Sequence, residues 1–139
     1  MAAGARRSAG SLDANVVLRL LLNDVPDQHA AAVSLLEGAE APFAVPDVAI
    51  IEVVFALCRY YEFSRDAATE AIEGLMSLVE IECNRDLFAR ALPVFAERPK
   101  LSFDDCCLAA SAELSDAEPL WTFDKKLATQ TKAARLVPV

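Results

Sequence analysis

The stretch that most constrains this chain is Pro46-Asp47-Val48-Ala49-Ile50-Ile51-Glu52-Val53-Val54-Phe55-Ala56-Leu57-Cys58. Pro46-Asp47 reads as a turn or helix cap, and the helix that follows is apolar except for one carboxylate, Glu52. No polar face appears before Arg59, Tyr60 and Tyr61, and a helix apolar all round is normally buried. An ionised carboxylate within such an element costs several kcal/mol unless it is protonated, paired or bound to a metal. Two readings of Glu52 follow: it reaches water through a gap in the packing, or a cation holds it.

A chain of 139 residues suggests one domain, large enough to bury a core. We expect that domain over residues 11–139, after a flexible, Ala-, Gly- and Arg-rich lead-in over residues 1–10. With 55% apolar and 24% charged residues, the composition is that of a compact soluble protein. No apolar run is long enough to span a bilayer, so no membrane association is expected. Arg6 and Arg7 are followed by no apolar segment, so no secretory signal is expected either. Cys58, Cys83, Cys106 and Cys107 form no Cys-x-x-Cys pair and read as small core residues of a cytoplasmic protein. A formal charge of −8 argues against a surface that coats nucleic acid generally. It leaves room for a metal-dependent nuclease, whose acidic site residues count as negative yet face a cation, and for a basic protein partner.

Along the chain, Val16–Leu22 reads as a short helix closed by Asn23-Asp24, and a second helix restarts at Pro26-Asp27 and stops at Gly38. Phe43–Val45 is a strand candidate before the Glu52 helix. Ser64 caps a helix whose apolar face is Ala67, Ala71, Ile72, Leu75 and Met76. Leu78–Cys83 alternates with period two and reads as a strand. Arg85–Glu97 is helical by period, with a kink or break expected at Pro93. A helix then runs to Leu114, a strand from Glu118 to Phe123, a short helix from Lys125 and a last strand over Arg135–Val139. Alternating strands and helices predict an α/β fold, a three-layer α/β/α domain with a parallel central sheet.

In such folds ligands bind at the carboxyl ends of the strands, where Asp13, Asp105 and Asp124 fall. Each has a second role open to it. Asp13 can N-cap the first helix, Asp105 can close a capping box with Ser102, and Asp124 can make an Asx turn; Asp104 can complement the helix dipole. Capping does not account for Glu52. If Glu52 points at the same strand ends, four carboxylates converge, and like charges at that range need hard divalent cations, Mg2+ or Mn2+. Such ions suit phosphodiester hydrolysis. Other chemistries lack parts: His29 is the only histidine and reads as a surface residue. Gly4, Gly10, Gly38 and Gly74 make no phosphate-binding loop.

Taken together, Leu12-Asp13-Ala14-Asn15-Val16-Val17-Leu18-Arg19, Glu52 in its apolar helix, Ser102-Phe103-Asp104-Asp105 before Cys106-Cys107-Leu108-Ala109-Ala110, and Leu120-Trp121-Thr122-Phe123-Asp124 resemble the four acidic motifs of PIN-domain ribonucleases. Within that family the resemblance is strongest to VapC-type toxins of toxin–antitoxin pairs. It implies that Asp13, Glu52, Asp105 and Asp124 are the catalytic, metal-binding carboxylates, with Asn15 and Thr122 as supporting polar groups. Asp105 is preferred to Asp104 because it stands two residues after the aromatic Phe103. The resemblance further implies an RNA substrate, Mg2+ or Mn2+, a homodimer and a VapB-type antitoxin. The chain departs from the family in its first strand, which reads Arg7-Ser8-Ala9-Gly10-Ser11-Leu12 in place of an apolar run. Competing readings are a catalytically degenerate PIN-like domain that only binds protein, a receiver-like phosphoacceptor and a haloacid-dehalogenase-like phosphatase. The receiver expects its acidic pair after the first strand, and the phosphatase expects Asp where this chain has Asn15.

Overall fold

The computed structural model describes residues 8–139, and the chain divides into two compact units, the first ending at Cys83 and the second running from Asn84 to Val139. The expected lead-in falls mostly on residues 1–7, outside the described residues, and Gly10 already belongs to a strand.

In the first unit, β1 (Gly10–Ser11), β2 (Phe43–Ala44) and β3 (Ile81–Glu82) pair in parallel in that order. The register sets Gly10 beside Phe43 and Phe43 beside Ile81. Gly10 has φ +130°, a backbone region that side chains with a Cβ rarely adopt. That conformation accounts for a glycine at this position of the strand. Flanking bonds extend the ladder: Leu12 N–H donates to the Ala44 carbonyl at 2.9 Å and Val45 N–H to that of Glu82 at 2.9 Å.

Four helices complete the unit: α1 (Ala14–Leu21), α2 (Pro26–Glu37), α3 (Asp47–Arg59) and α4 (Arg65–Met76). Pro26 opens α2 and Gly38 closes it, as expected. Ser64 caps α4 by accepting from Ala67 N–H at 3.0 Å. The predicted strand over Leu78–Cys83 shrinks to Ile81–Glu82, because Leu78 and Ile81 N–H groups bond back to Leu75 and Leu78 carbonyls in turns. Val17, Ile50, Val53, Leu57, Ala68 and Ile72, from α1, α3 and α4, are fully enclosed in the core.

α3 is not buried on every side, contrary to the expectation from its composition. Ile50, Val53, Val54 and Leu57 are buried, whereas Val48, Glu52, Phe55 and Arg59 are exposed. The helix thus has a solvent face at i, i+4, i+7 and i+11 whose side chains are partly apolar: Val48 is 70% and Phe55 58% exposed. Apolar composition hid an amphipathic arrangement, and Glu52 reaches water.

The second unit holds α5 (Arg85–Glu97), α6 (Phe103–Leu114), β4 (Leu120–Thr122), α7 (Lys125–Gln130) and β5 (Ala134–Leu136). β4 and β5 pair in parallel, with Trp121 opposite Arg135. Pro93 does not end α5. Pro93 supplies no N–H to the Ala89 carbonyl one turn back, and both residues are exposed. Phe103 stacks on Phe88 with centroids 6.0 Å apart and meets Phe95 edge-on at 5.2 Å, fixing the start of α6 against α5. The fold is a largely helical α/β fold with parallel strands, as the alternating elements indicate, but the strands pair as two sheets where one was expected.

The two faces of α3 predict opposite costs. Leu57→Ala removes an enclosed side chain and is expected to destabilise by roughly 2–5 kcal/mol. Phe55→Ala, on the outer face, is expected to cost less than about 1 kcal/mol. Urea titration of both variants checks the assignment; equal losses contradict it.

Candidate active site

Asp13 follows β1 and is the N-cap of α1; its Oδ1 accepts from Val16 N–H at 2.9 Å. The capping role seen in the sequence is therefore real, but it uses one oxygen. Oδ2 has no hydrogen-bond partner among the described residues. The helix dipole further favours the carboxylate charge there, by roughly 0.3–1 kcal/mol.

Glu52, on the second turn of α3, is exposed and likewise has no partner among the described residues. Asp13 and Glu52 line one cavity of about 350 Å³, together with Ser11, Leu12, Ala14, Pro46, Val48 and Ala49. Among the described residues no Lys or Arg lines it. Two carboxylates on one cavity present hard oxygen donors that suit a divalent ion such as Mg2+.

In the second unit Asp105 and Ser102 form a reciprocal capping box. Asp105 N–H donates to Ser102 Oγ at 3.2 Å, and Ser102 N–H donates to Asp105 Oδ2 at 3.4 Å. Asp105 is half-buried and Asp104 exposed. Asp124 follows β4 as Asp13 follows β1: its Oδ1 accepts from Lys126 N–H at 2.8 Å and Leu127 N–H at 3.4 Å, capping α7. Thr122 Oγ1 accepts from Asp124 N–H at 2.9 Å and so fixes that backbone. Asp13 and Glu52 are thus brought together in one unit, and Asp105 and Asp124 both stand at helix starts in the other. Within neither unit, among the described residues, do three or more His, Cys, Asp or Glu side chains form a group that would hold an ion.

Asp13 also lines a second cavity of about 440 Å³, with Asn15, Val16, Arg19, Gln28, Ala31, Ala32 and Leu35. Arg19 is a residue that sequence reasoning passed over. Its Nη1 pairs with Asp24 at 3.1 Å, its Nη2 donates to Tyr61 Oη at 2.7 Å, and its buried Nε has no partner. An arginine inside the apolar run Val16–Leu22 was the available signal. Tyr61 is therefore committed to the fold of this unit, while neighbouring Tyr60 is 70% exposed. His29 is half-buried, not a surface residue; its Nδ1–H donates to the Arg19 carbonyl at 2.7 Å. Burial pushes the Cys58 thiol up, outweighing the pull of Arg65, so it stays protonated at neutral pH and is no thiolate nucleophile.

A PIN-domain family model matches residues 11–133, a span that contains all four carboxylates. The chain belongs to the PIN-domain family. PIN domains are generally nucleases that use divalent metal ions such as Mg2+, and membership points to nucleic acid as the ligand. No curated protein matches the chain. Among the described residues no helix is long and apolar enough to cross a membrane.

Because Asn caps helices as well as Asp does, Asp13→Asn and Asp124→Asn are expected to leave stability within about 0.5 kcal/mol of the parent, whereas the alanine variants lose roughly 0.5–2 kcal/mol. Chemical denaturation of the four variants checks this, and an asparagine variant as unstable as its alanine counterpart contradicts it.

Proposed function

We propose that this chain is an endoribonuclease dependent on Mg2+ or Mn2+, and that it is the VapC-type toxin of a type II toxin–antitoxin pair. The observation that carries the nuclease reading is the cavity lined by Asp13 and Glu52, in a chain of the PIN-domain family. When bound, a divalent ion supplies the positive charge that offsets the negative charge developing on the phosphate and helps activate water for in-line attack.

The chain's own residues bind and orient. The Val16 N–H bond fixes Asp13 through Oδ1, and Oδ2 is assigned as the ligand. Glu52 contributes a second carboxylate from a rigid helix whose opposite face is packed in the core. We assign Asp105 and Asp124 the same acidic role. Their caps hold them as Asp13 is held, and Thr122 secures Asp124 from behind. Asn15, exposed on the first turn of α1, is assigned to orient substrate or water.

A VapB-type antitoxin is supported by a further cavity of about 340 Å³ in the first unit, between α1, α2 and α4. Leu20, Leu21, Val33, Leu36 and Leu75 give it an apolar floor, and Glu37, Glu70 and Glu80 give it an acidic rim. That pattern suits an amphipathic helix bearing basic residues, in keeping with the net charge of −8. A homodimer is supported by the exposed aromatic pair Phe55 and Tyr60, which meet edge-on at 6.0 Å on the outer face of α3. The protein is assigned to the cytoplasm.

RNA cleavage is expected in Mg2+ or Mn2+, to vanish in EDTA and to return with Mn2+. Asp13→Asn, Glu52→Gln, Asp105→Asn and Asp124→Asn are each expected to lower the rate by about 100-fold or more. Thr122→Val and Asn15→Ala are expected to lower it by roughly 10-fold. Full cleavage by Asp13→Asn or Asp105→Asn sinks the mechanism; absence of Mg2+ or Mn2+ binding points to the degenerate, protein-binding reading. The toxin assignment expects a short reading frame for a small partner immediately beside this one. The dimer assignment expects Tyr60→Ala to halve the mass in solution, and an unchanged mass contradicts that interface.

A further inference from the structure

The second unit carries an aromatic surface that neither the core nor the four carboxylates use. Trp121 is 53% and Phe123 72% exposed, although large aromatics of this kind are usually mostly buried. They stand two residues apart, Trp121 within β4 and Phe123 in the bend that leaves it. Arg135, the register partner of Trp121 on β5, lies over the indole ring with its Cζ 5.9 Å from the ring centroid. Phe123 directly precedes the candidate carboxylate Asp124.

Charge is distributed unevenly around this face. Residues 124–139 contain Lys125, Lys126, Lys132 and Arg135 against the single acid Asp124, four cations to one anion, in a chain whose net charge is −8. All four cations are exposed. They belong to α7, β5 and the loop between them, the elements beside β4. Exposed aromatic faces interleaved with cations are what an unpaired nucleic-acid strand requires: rings stack on bases, and cations track the phosphates. A duplex offers only its backbone to such a surface, since its bases are stacked on one another.

We propose that Trp121, Phe123 and Arg135 form a stacking platform for unpaired bases of single-stranded RNA, with Lys125, Lys126 and Lys132 holding the adjoining phosphates. The platform rests on the nuclease reading above, and it narrows the substrate to unpaired segments next to the cut. It also gives Asp124 a flanking contact that sets which nucleotide is presented.

Trp121 is the only tryptophan of the chain, so its fluorescence reports on this surface alone. The full chain is titrated in EDTA with a single-stranded oligouridylate of about eight nucleotides, within the usual footprint of such sites. The expected result is saturable quenching of Trp121, absent with a duplex and with an abasic strand of equal length. Phe123→Ala and Arg135→Ala are expected to weaken binding roughly 5- to 100-fold, and Phe123→Tyr to restore it. Circular dichroism confirms that the variants are folded, and anisotropy of a labelled strand extends the comparison to Trp121→Leu. Absence of quenching, or equal quenching by the abasic strand, overturns the platform. A shift in Trp121 emission with protein concentration alone, unaffected by RNA, also overturns it, since the face then meets protein. With no metal present the measurement does not depend on turnover. Quenching without cleavage leaves the platform and removes the nuclease, and cleavage without quenching does the reverse.

Discussion

A carboxylate placed at the first turn of a helix, immediately after a parallel strand, is the constraint on which this structure turns. The exposed N–H groups of that turn need an acceptor, and the helix dipole favours a negative one. Asp13 after β1 and Asp124 after β4 meet this need in the same way, each engaging the backbone through Oδ1 alone. Asp105 meets it through a capping box, with Oδ2 accepting from Ser102 N–H. The structural role leaves room for the proposed chemical one: the cap engages one oxygen of each side chain. The strands are only two or three residues long, so the orientation of these acids depends on caps and helix packing more than on the sheets.

Glu52 works by a different device. It caps nothing and has no partner among the described residues, but it projects from a helix whose inner face is locked by Ile50, Val53, Val54 and Leu57. The rigidity of α3 comes from hydrophobic burial, and Glu52 inherits it. It lines the same cavity as Asp13, with no Lys or Arg of the described residues in the walls, which gathers negative charge there.

Much of this was legible before the structure. The helix bounds Pro26–Glu37 and Arg85–Glu97 follow from Pro26, Gly38 and the Leu87–Phe95 period. The capping roles of Asp13 and Asp105 follow from their place before apolar runs, and Gly38 marks the end of α2. What escaped did so for physical reasons. α3 has so few polar residues that its outer face cannot be told from its inner one by composition, so the helix read as buried and the exposure of Glu52 stayed open. Leu78–Cys83 alternates like a strand, but turn bonds after α4 claim its first half. The first strand depends on the positive φ of Gly10, a backbone property with no hydrophobic signature. Arg19 and His29 are tied together by contacts between separate helices, which no local pattern announces. The pairing of strands into two sheets depends on long-range partners and is equally silent in a linear reading.

The central claim is that Asp13 and Glu52 together supply ligands to a divalent ion. Titration of the full chain with Mn2+, followed by the loss of the free-ion paramagnetic resonance signal, tests it without any need for substrate. Saturable binding is predicted for the parent, weakened at least about 10-fold by Glu52→Gln and by Asp13→Asn, the scale expected when a group that fixes a metal is altered. Binding of equal strength in the parent and both variants would contradict the account.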